Sequence, residues 1–317
     1  MVTTCRSQGR RFAKSTAVHV VLSTTDEPVT FREITPPVNM SEFIEAVQTI
    51  PLIRYALLAG IVSSLIFGVV GSFVVTRRIG YIAAAIAHGM LGGIGAAIFF
   101  GRKFDIAWLT PTVGAVVSSL IFAGIIGWVS LRAREREDTI IGAIWAFGMA
   151  AGILFIQYAP GKNVNLESFL LGNILLTSKS DVIATVVLGV IVLTLVGLFY
   201  HKLVAVCFDE EFAGLRGVSS QMYFLLLLAI TALSMVLLVR VAGIVLSLAL
   251  LVLPAATASR FFRRLWLIIL VSIVLSLFYN TGGLIASFQL DTLTGPFIVI
   301  IASVVYGLTF LVKRKGA

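Results

Sequence analysis

From Tyr55 onward the chain is a succession of apolar stretches, each about 20 residues long, separated by short polar connections. A helix of that length crosses the ~30 Å hydrocarbon core of a bilayer, and in lipid it satisfies its own backbone hydrogen bonds. The pattern predicts an all-α, polytopic membrane protein. Spans are expected at about 55–76, 80–100, 107–131, 139–159, 181–200, 221–239, 242–260, 265–286 and 295–312. That is nine, with the pair meeting around Arg240 to Gly243 the least sharply separated. Only 12% of the 317 residues are charged, against about 25% in a soluble domain, so no large soluble domain is expected.

The formal net charge is +9, but the basic residues lie beside apolar runs, where they set membrane orientation. They are read as topology and not as a nucleic-acid surface. One set of connections carries Arg77, Arg78, Arg132, Arg134, Arg136, Lys202, Arg216, Arg260, Arg263, Arg264, Lys313, Arg314 and Lys315. The other carries Arg54, Arg102, Lys103, Lys162, Lys179 and Arg240. The first set is expected in the cytoplasm, and an odd number of spans then puts the C-terminus there too. Residues 1–39 hold no apolar run long enough to span; they read as a disordered tail, or as sequence upstream of a start at Met40. Residues 40–54 place Phe43, Ile44, Val47 and Ile50 at helical spacing, which fits a helix lying on the membrane surface before a transmembrane domain over 55–317. Cys5 and Cys207 are too few and too far apart for a disulfide framework or a thiolate metal site.

Ionisable groups within spans are expensive and point to function. His88 lies near the middle of the second span, GYIAAAIAHGMLGGIGAAIFF, and imidazole is a common transition-metal ligand. It is read either as a transient metal ligand or as a neutral histidine hydrogen-bonded for packing. Gly92 and Gly93, with Gly89 and Gly95, give that helix a smooth face for close approach, or room for a pathway. Pro254, in LALLVLPAATASR, removes a backbone donor and is expected to kink its span, for packing or as a hinge. Asp291 and the segment GKNVNLESFLLGN, with Asn163, Asn165, Glu167 and Asn173, are expected in solvated outer loops. Glu135, Glu137 and Asp138 alternate with arginines in a self-neutralised inner loop.

Tyr200 to Gln221, YHKLVAVCFDEEFAGLRGVSSQ, interrupts the apolar pattern. Asp209, Glu210 and Glu211 stand in a row, followed by Phe212 and Leu215 on one face of a short helix and then by Arg216, with Gly214 and Gly217 to loosen or end it. The stretch is read either as a solvated connector or as a helix that presses on another protein. No glycine-rich loop ending in Lys-Ser or Lys-Thr is present, so if ATP is used, a partner supplies its site.

Four stretches in this order resemble the membrane permease subunits of bacterial ABC importers for zinc, manganese and iron. They are GSFVVTRRIGY leading into the His88 span; EDTIIGAIWAFGMAAGILF with PGKNVNLESFLLGNILLTSKSD; FDEEFAGLRGVSS; and VAGIVLSLALLVLPAATASRF, with DTLTGPFIVIIAS as a weaker fifth. Together they cover about Leu52 to Val312. The resemblance implies an all-helical permease in the bacterial plasma membrane that pairs with a second permease chain, identical or related. It also implies separate cytoplasmic ATPase subunits and an extracytoplasmic metal-binding protein that delivers the ion. The chain would bind no cofactor of its own, move a divalent metal ion and catalyse no covalent chemistry. Phe208 to Ser219 would be the segment that docks on the ATPase. The family usually has an aspartate one turn before the histidine, where this chain has Ala84. The rivals are a siderophore or vitamin B12 permease of the same importer class, a secondary transporter driven by an ion gradient, and an intramembrane hydrolase. The last two would need more buried carboxylates, or a nucleophile with its base, than the spans contain.

Overall fold

The computed structural model describes Thr49 and residues 51–132, 137–161, 179–215, 217–289 and 293–311, and within them every regular element is a helix. In chain order these are α1 (Pro51–Thr76), α2 (Gly80–Lys103), α3 (Pro111–Arg132), α4 (Glu137–Gln157) and α5 (Lys179–Phe208). There follow α6 (Glu210–Leu215), α7 (Ser220–Phe261), α8 (Leu265–Gln289) and α9 (Thr294–Leu308). Eight stretches are long and apolar enough to cross a membrane, two of them, Ser220–Val239 and Val241–Phe261, supplied by α7. The last predicted span is shorter than expected: α9 has 15 residues and rises only ~22 Å.

The 42-residue α7 would be about twice a bilayer's thickness if straight. It folds back at Gly243, whose φ of 76° and ψ of 169° suit glycine and few other residues. Its neighbours along α1 show the return. Phe224 lies 5.6 Å under the Arg77 guanidinium, just past the end of α1. Val241 clusters with Ile53, Ala56 and Ala59 at the opposite end of α1. Leu251 then puts its carbonyl against Gly71, near the first end again. The weak boundary in the sequence is thus a tight hairpin between two spans.

A second difference concerns α5, predicted to end near Tyr200 but helical to Phe208. Leu203, Val206 and Cys207 are buried, so the apolar face continues past the polar residues at 200–202. Lys202 keeps its charge at the edge while its ammonium lies 5.3 Å over the Tyr223 ring, as long basic side chains do at interfaces.

Successive spans alternate in direction, and basic residues gather at one end of the bundle: Arg77, Arg132, Lys202 and Arg260. The returning half of α7 and α9 end together there, because Arg260 lies 3.9 Å over the Phe310 ring and donates Nη2 to the Thr309 carbonyl at 3.3 Å. At the other end Arg102 donates to the Pro160 carbonyl at 3.3 Å, tying the end of α2 to the end of α4. The core runs along α1, α2 and α7, whose spans are 67% buried or more, while α4 and α5 are 22% buried and form the flanks.

Candidate functional site

His88 sits a little over two turns into α2, on the side facing α4. Its Nδ1 lies 2.8 Å from the Ala84 carbonyl oxygen. A carbonyl only accepts, so Nδ1 carries the proton, and in the neutral ring the lone pair is then on Nε2. The ring stacks on Trp145 of α4, with centroids 4.4 Å apart and planes 26° from parallel. Trp145 in turn points its indole N–H at the Met149 sulfur, 3.3 Å away. Trp145 is 40% exposed, so the pair lies at the edge of this chain and not deep within it. Ala84 therefore contributes to the histidine through its backbone, one turn earlier on the same helix. Among the described residues no three His, Cys, Asp or Glu side chains come together as a metal-binding group.

The glycines around His88 set how closely α2 meets its neighbours. A Cβ on Gly92 would stand 3.0 Å from the Gly148 carbonyl oxygen of α4, and one on Gly95 would stand 2.5 Å from that of Gly152. Gly93 faces the other way, against Gly114 and Ser118 of α3. Gly92 and Gly93 thus serve two different contacts within an unbroken helix, one to α4 and one to α3. Pro254 is buried inside the returning half of α7. The backbone break in α7 is at Gly243, more than two turns earlier, and not at the proline.

Of the polar stretch, Asp209 opens α6 by accepting the Ala213 N–H at 3.1 Å. Ala213 is buried with Val206 and Tyr223 and anchors α6 on α5 and α7. Gly217, with φ of 74°, closes it: the Val218 N–H reaches the Ala213 carbonyl and the Gly217 N–H reaches that of Gly214, both at 3.0 Å. This is a Schellman ending, which uses the left-handed freedom of glycine to satisfy the last carbonyls. Leu215 is 87% exposed and Phe208 57%. The result is a short helix at the basic end of the bundle, seated by one small residue and presenting leucine outward. Glu210, Glu211 and Phe212 belong to the same helix, while Arg216 lies outside the described residues. So do residues 1–48, the segment from Lys162 to Ser178, and Asp291.

Residues 49–313 match the ABC 3 transport family. The chain belongs to that family. Similar proteins include a relative in Chlamydia muridarum named "Probable metal transport system membrane protein", 38% identical over 265 residues, which cover 84% of this chain and 90% of that one. The manganese transport system membrane protein MntC of Halalkalibacterium halodurans is 32% identical, over 87% of this chain and 92% of its own length. Among solved structures, PsaBC from Streptococcus pneumoniae in complex with Fab aligns with a TM-score of 0.78 and 28% identity, covering 87% of this chain and 97% of that one.

In this ABC 3 family member the fold also places residues that the sequence reading did not single out. Trp145 covers His88 from 57 positions away, which helical periodicity does not reveal. Asn280, buried within α8, bonds to α1. Its signal was available: an amide in a span, with Ser276 and Ser272 one and two turns before it.

Proposed function

We propose that the chain is the translocation subunit of an ATP-driven importer that carries a divalent transition-metal ion, manganese ahead of zinc and iron, into the cytoplasm. What carries this reading is near-full-length similarity to a protein named for manganese transport, over 87% of this chain and 92% of that one. With no phosphate loop of its own, the subunit takes its drive from cytoplasmic ATPase partners, and it receives the ion from an extracytoplasmic binding protein. It pairs with a second permease chain in the bacterial plasma membrane. The basic end of the bundle faces the cytoplasm, by the preference of Lys and Arg for that side, and carries the C-terminus with it. There α6 offers Leu215 to the ATPase. In the spans, Nε2 of His88 meets the ion briefly. One imidazole is a weak site, and weak binding suits a conduit that must release what it holds.

The test is uptake of radioactive manganese by proteoliposomes holding permease, ATPase and binding protein. Accumulation that requires ATP, with the His88→Ala protein inserted normally but slower, is the expected result. Uptake driven by an ion gradient without ATP would assign the chain to secondary transport instead. Normal uptake by His88→Ala would leave the histidine a packing residue. For the coupling helix, Leu215→Asp is expected to insert normally and lose co-purification with the ATPase; retained co-purification would make α6 a mere connector.

A further inference from the structure

α1 and α8 run antiparallel and are joined by buried polar side chains. Ser72 of α1 lies 3.3 Å from Ser272 of α8, oxygen to oxygen. Two turns further along, Asn280 donates Nδ2 to the Ser64 hydroxyl at 2.8 Å and to the Gly60 carbonyl at 3.3 Å. The four side chains are at most 3% exposed. Eight residues separate the two contacts on each helix, so both belong to one register. In that register Ser276 falls opposite Gly68, which has no side chain to offer, and the Ser276 hydroxyl is without a partner.

Gly68 has a different task. A Cβ there would stand 2.6 Å from the backbone nitrogen of Ile273, so Ile273 occupies the notch that the glycine leaves. Sliding α8 by one turn in either direction, about 5.4 Å, would drive Ile273 against Ser64 or Ser72. It would also part Asn280 from Ser64 in a medium where a stranded polar group finds no solvent. A knob in a notch and hydrogen bonds on both sides of it oppose sliding and rotation together. Next to this seam, Gly71 of α1 receives the Leu251 carbonyl, three residues before Pro254.

We propose that α1 and α8 move as one rigid body through the transport cycle, with Asn280 as the positioning residue that sets their register. This rests on the ATP-driven reading given above. The bodies that move relative to each other then lie elsewhere in the bundle, and the returning half of α7 is held against a fixed wall.

The experiment uses the full permease–ATPase complex with Cys5 and Cys207 replaced by alanine and with Ser72→Cys and Ser272→Cys introduced. Disulfide formation is followed in nucleotide-free and in ATP-trapped complexes, and manganese uptake is measured before and after oxidation. The expected result is cross-linking at rates within about twofold in the two states, with oxidised complex transporting within about twofold of reduced complex. A tenfold fall in cross-linking on ATP trapping, or transport that oxidation stops and a reductant restores, would overturn the proposal. Asn280→Leu in the reduced background is expected to lose transport, and the disulfide to restore it. A loss that the disulfide does not repair would show that Asn280 acts other than by holding α8 to α1. If the unaltered complex moves no manganese, it is the metal assignment that fails, and the cross-linking rates still decide the rigid body.

Discussion

The α1–α8 contact and the α2–α4 contact are both rich in small residues, yet they hold by different means. Between α1 and α8, hydroxyls and an amide reach across the interface, and one isoleucine fills a glycine notch. Between α2 and α4, glycine lies against glycine, with Gly92 on Gly148 and Gly95 on Gly152. Hydrogen bonds are directional and fix register. Close backbone packing gains van der Waals energy without specifying one register as strongly. His88 and Trp145 lie on the second kind of surface, where a small displacement of α4 would uncover the imidazole without breaking a hydrogen bond between the two residues. His88 is thus mounted on the smoother of the two contacts.

The largest expected effect falls on that smooth surface. A Cβ on Gly148 would land on the backbone of Gly89, which has no rotamer through which to retreat. Gly148→Leu should therefore cost about 3 kcal/mol, the upper part of the range for overpacking, read as a large drop in the thermal midpoint of the purified protein. A cost under about 1 kcal/mol would mean that α2 and α4 separate easily, which would weaken the contrast between the two contacts. Ser64→Ala should be milder. It removes the acceptor for Asn280 Nδ2 and leaves the Gly60 carbonyl as the other partner of that amide, a loss of about 1 kcal/mol by the values found for hydrogen bonds between membrane helices.

The two contacts also differed in how readily the sequence revealed them. The glycines of α2 stood out because four of them, Gly89, Gly92, Gly93 and Gly95, fall within seven residues, beside His88. Their partners Gly148 and Gly152 lie in a span that carries part of the family resemblance, but with no ionisable residue beside them they do not stand out as a pair. The α1–α8 seam was overlooked because serines in an apolar run read as neutral filler, and only Asn280 departs from that pattern. Spans themselves were legible because length and hydrophobicity suffice to define them. The end of α5 was not: Tyr200, His201 and Lys202 mark a boundary by polarity, whereas Leu203, Val206 and Cys207 continue the buried face. The hairpin in α7 lay between the two cases, since Arg240 and Gly243 marked a weak point without telling a bend from a loop. Gly243 decides it through its positive φ, which no periodicity records.

A change of sign is the sharpest test of why the polar seam has the register it has. Ser276 is fully buried and its hydroxyl is unpartnered, because the register that joins Ser72 to Ser272 and Ser64 to Asn280 leaves a glycine opposite it. A buried hydroxyl without a partner costs about 1–3 kcal/mol relative to one that is satisfied. Ser276→Ala removes that group while keeping nearly the same volume, so the variant should be more stable than the unaltered protein, by about 1 kcal/mol. Ser272→Ala, one turn away in the same helix and environment, removes a hydroxyl that faces Ser72 at 3.3 Å, so its change should have the opposite sign. Thermal unfolding of the two variants side by side separates register from composition, because they delete the same atom from the same helix face. If Ser276→Ala were destabilising too, the hydroxyl would have to be bonded, and a water molecule between Ser276 and the open Asn280 oxygen would become part of the seam.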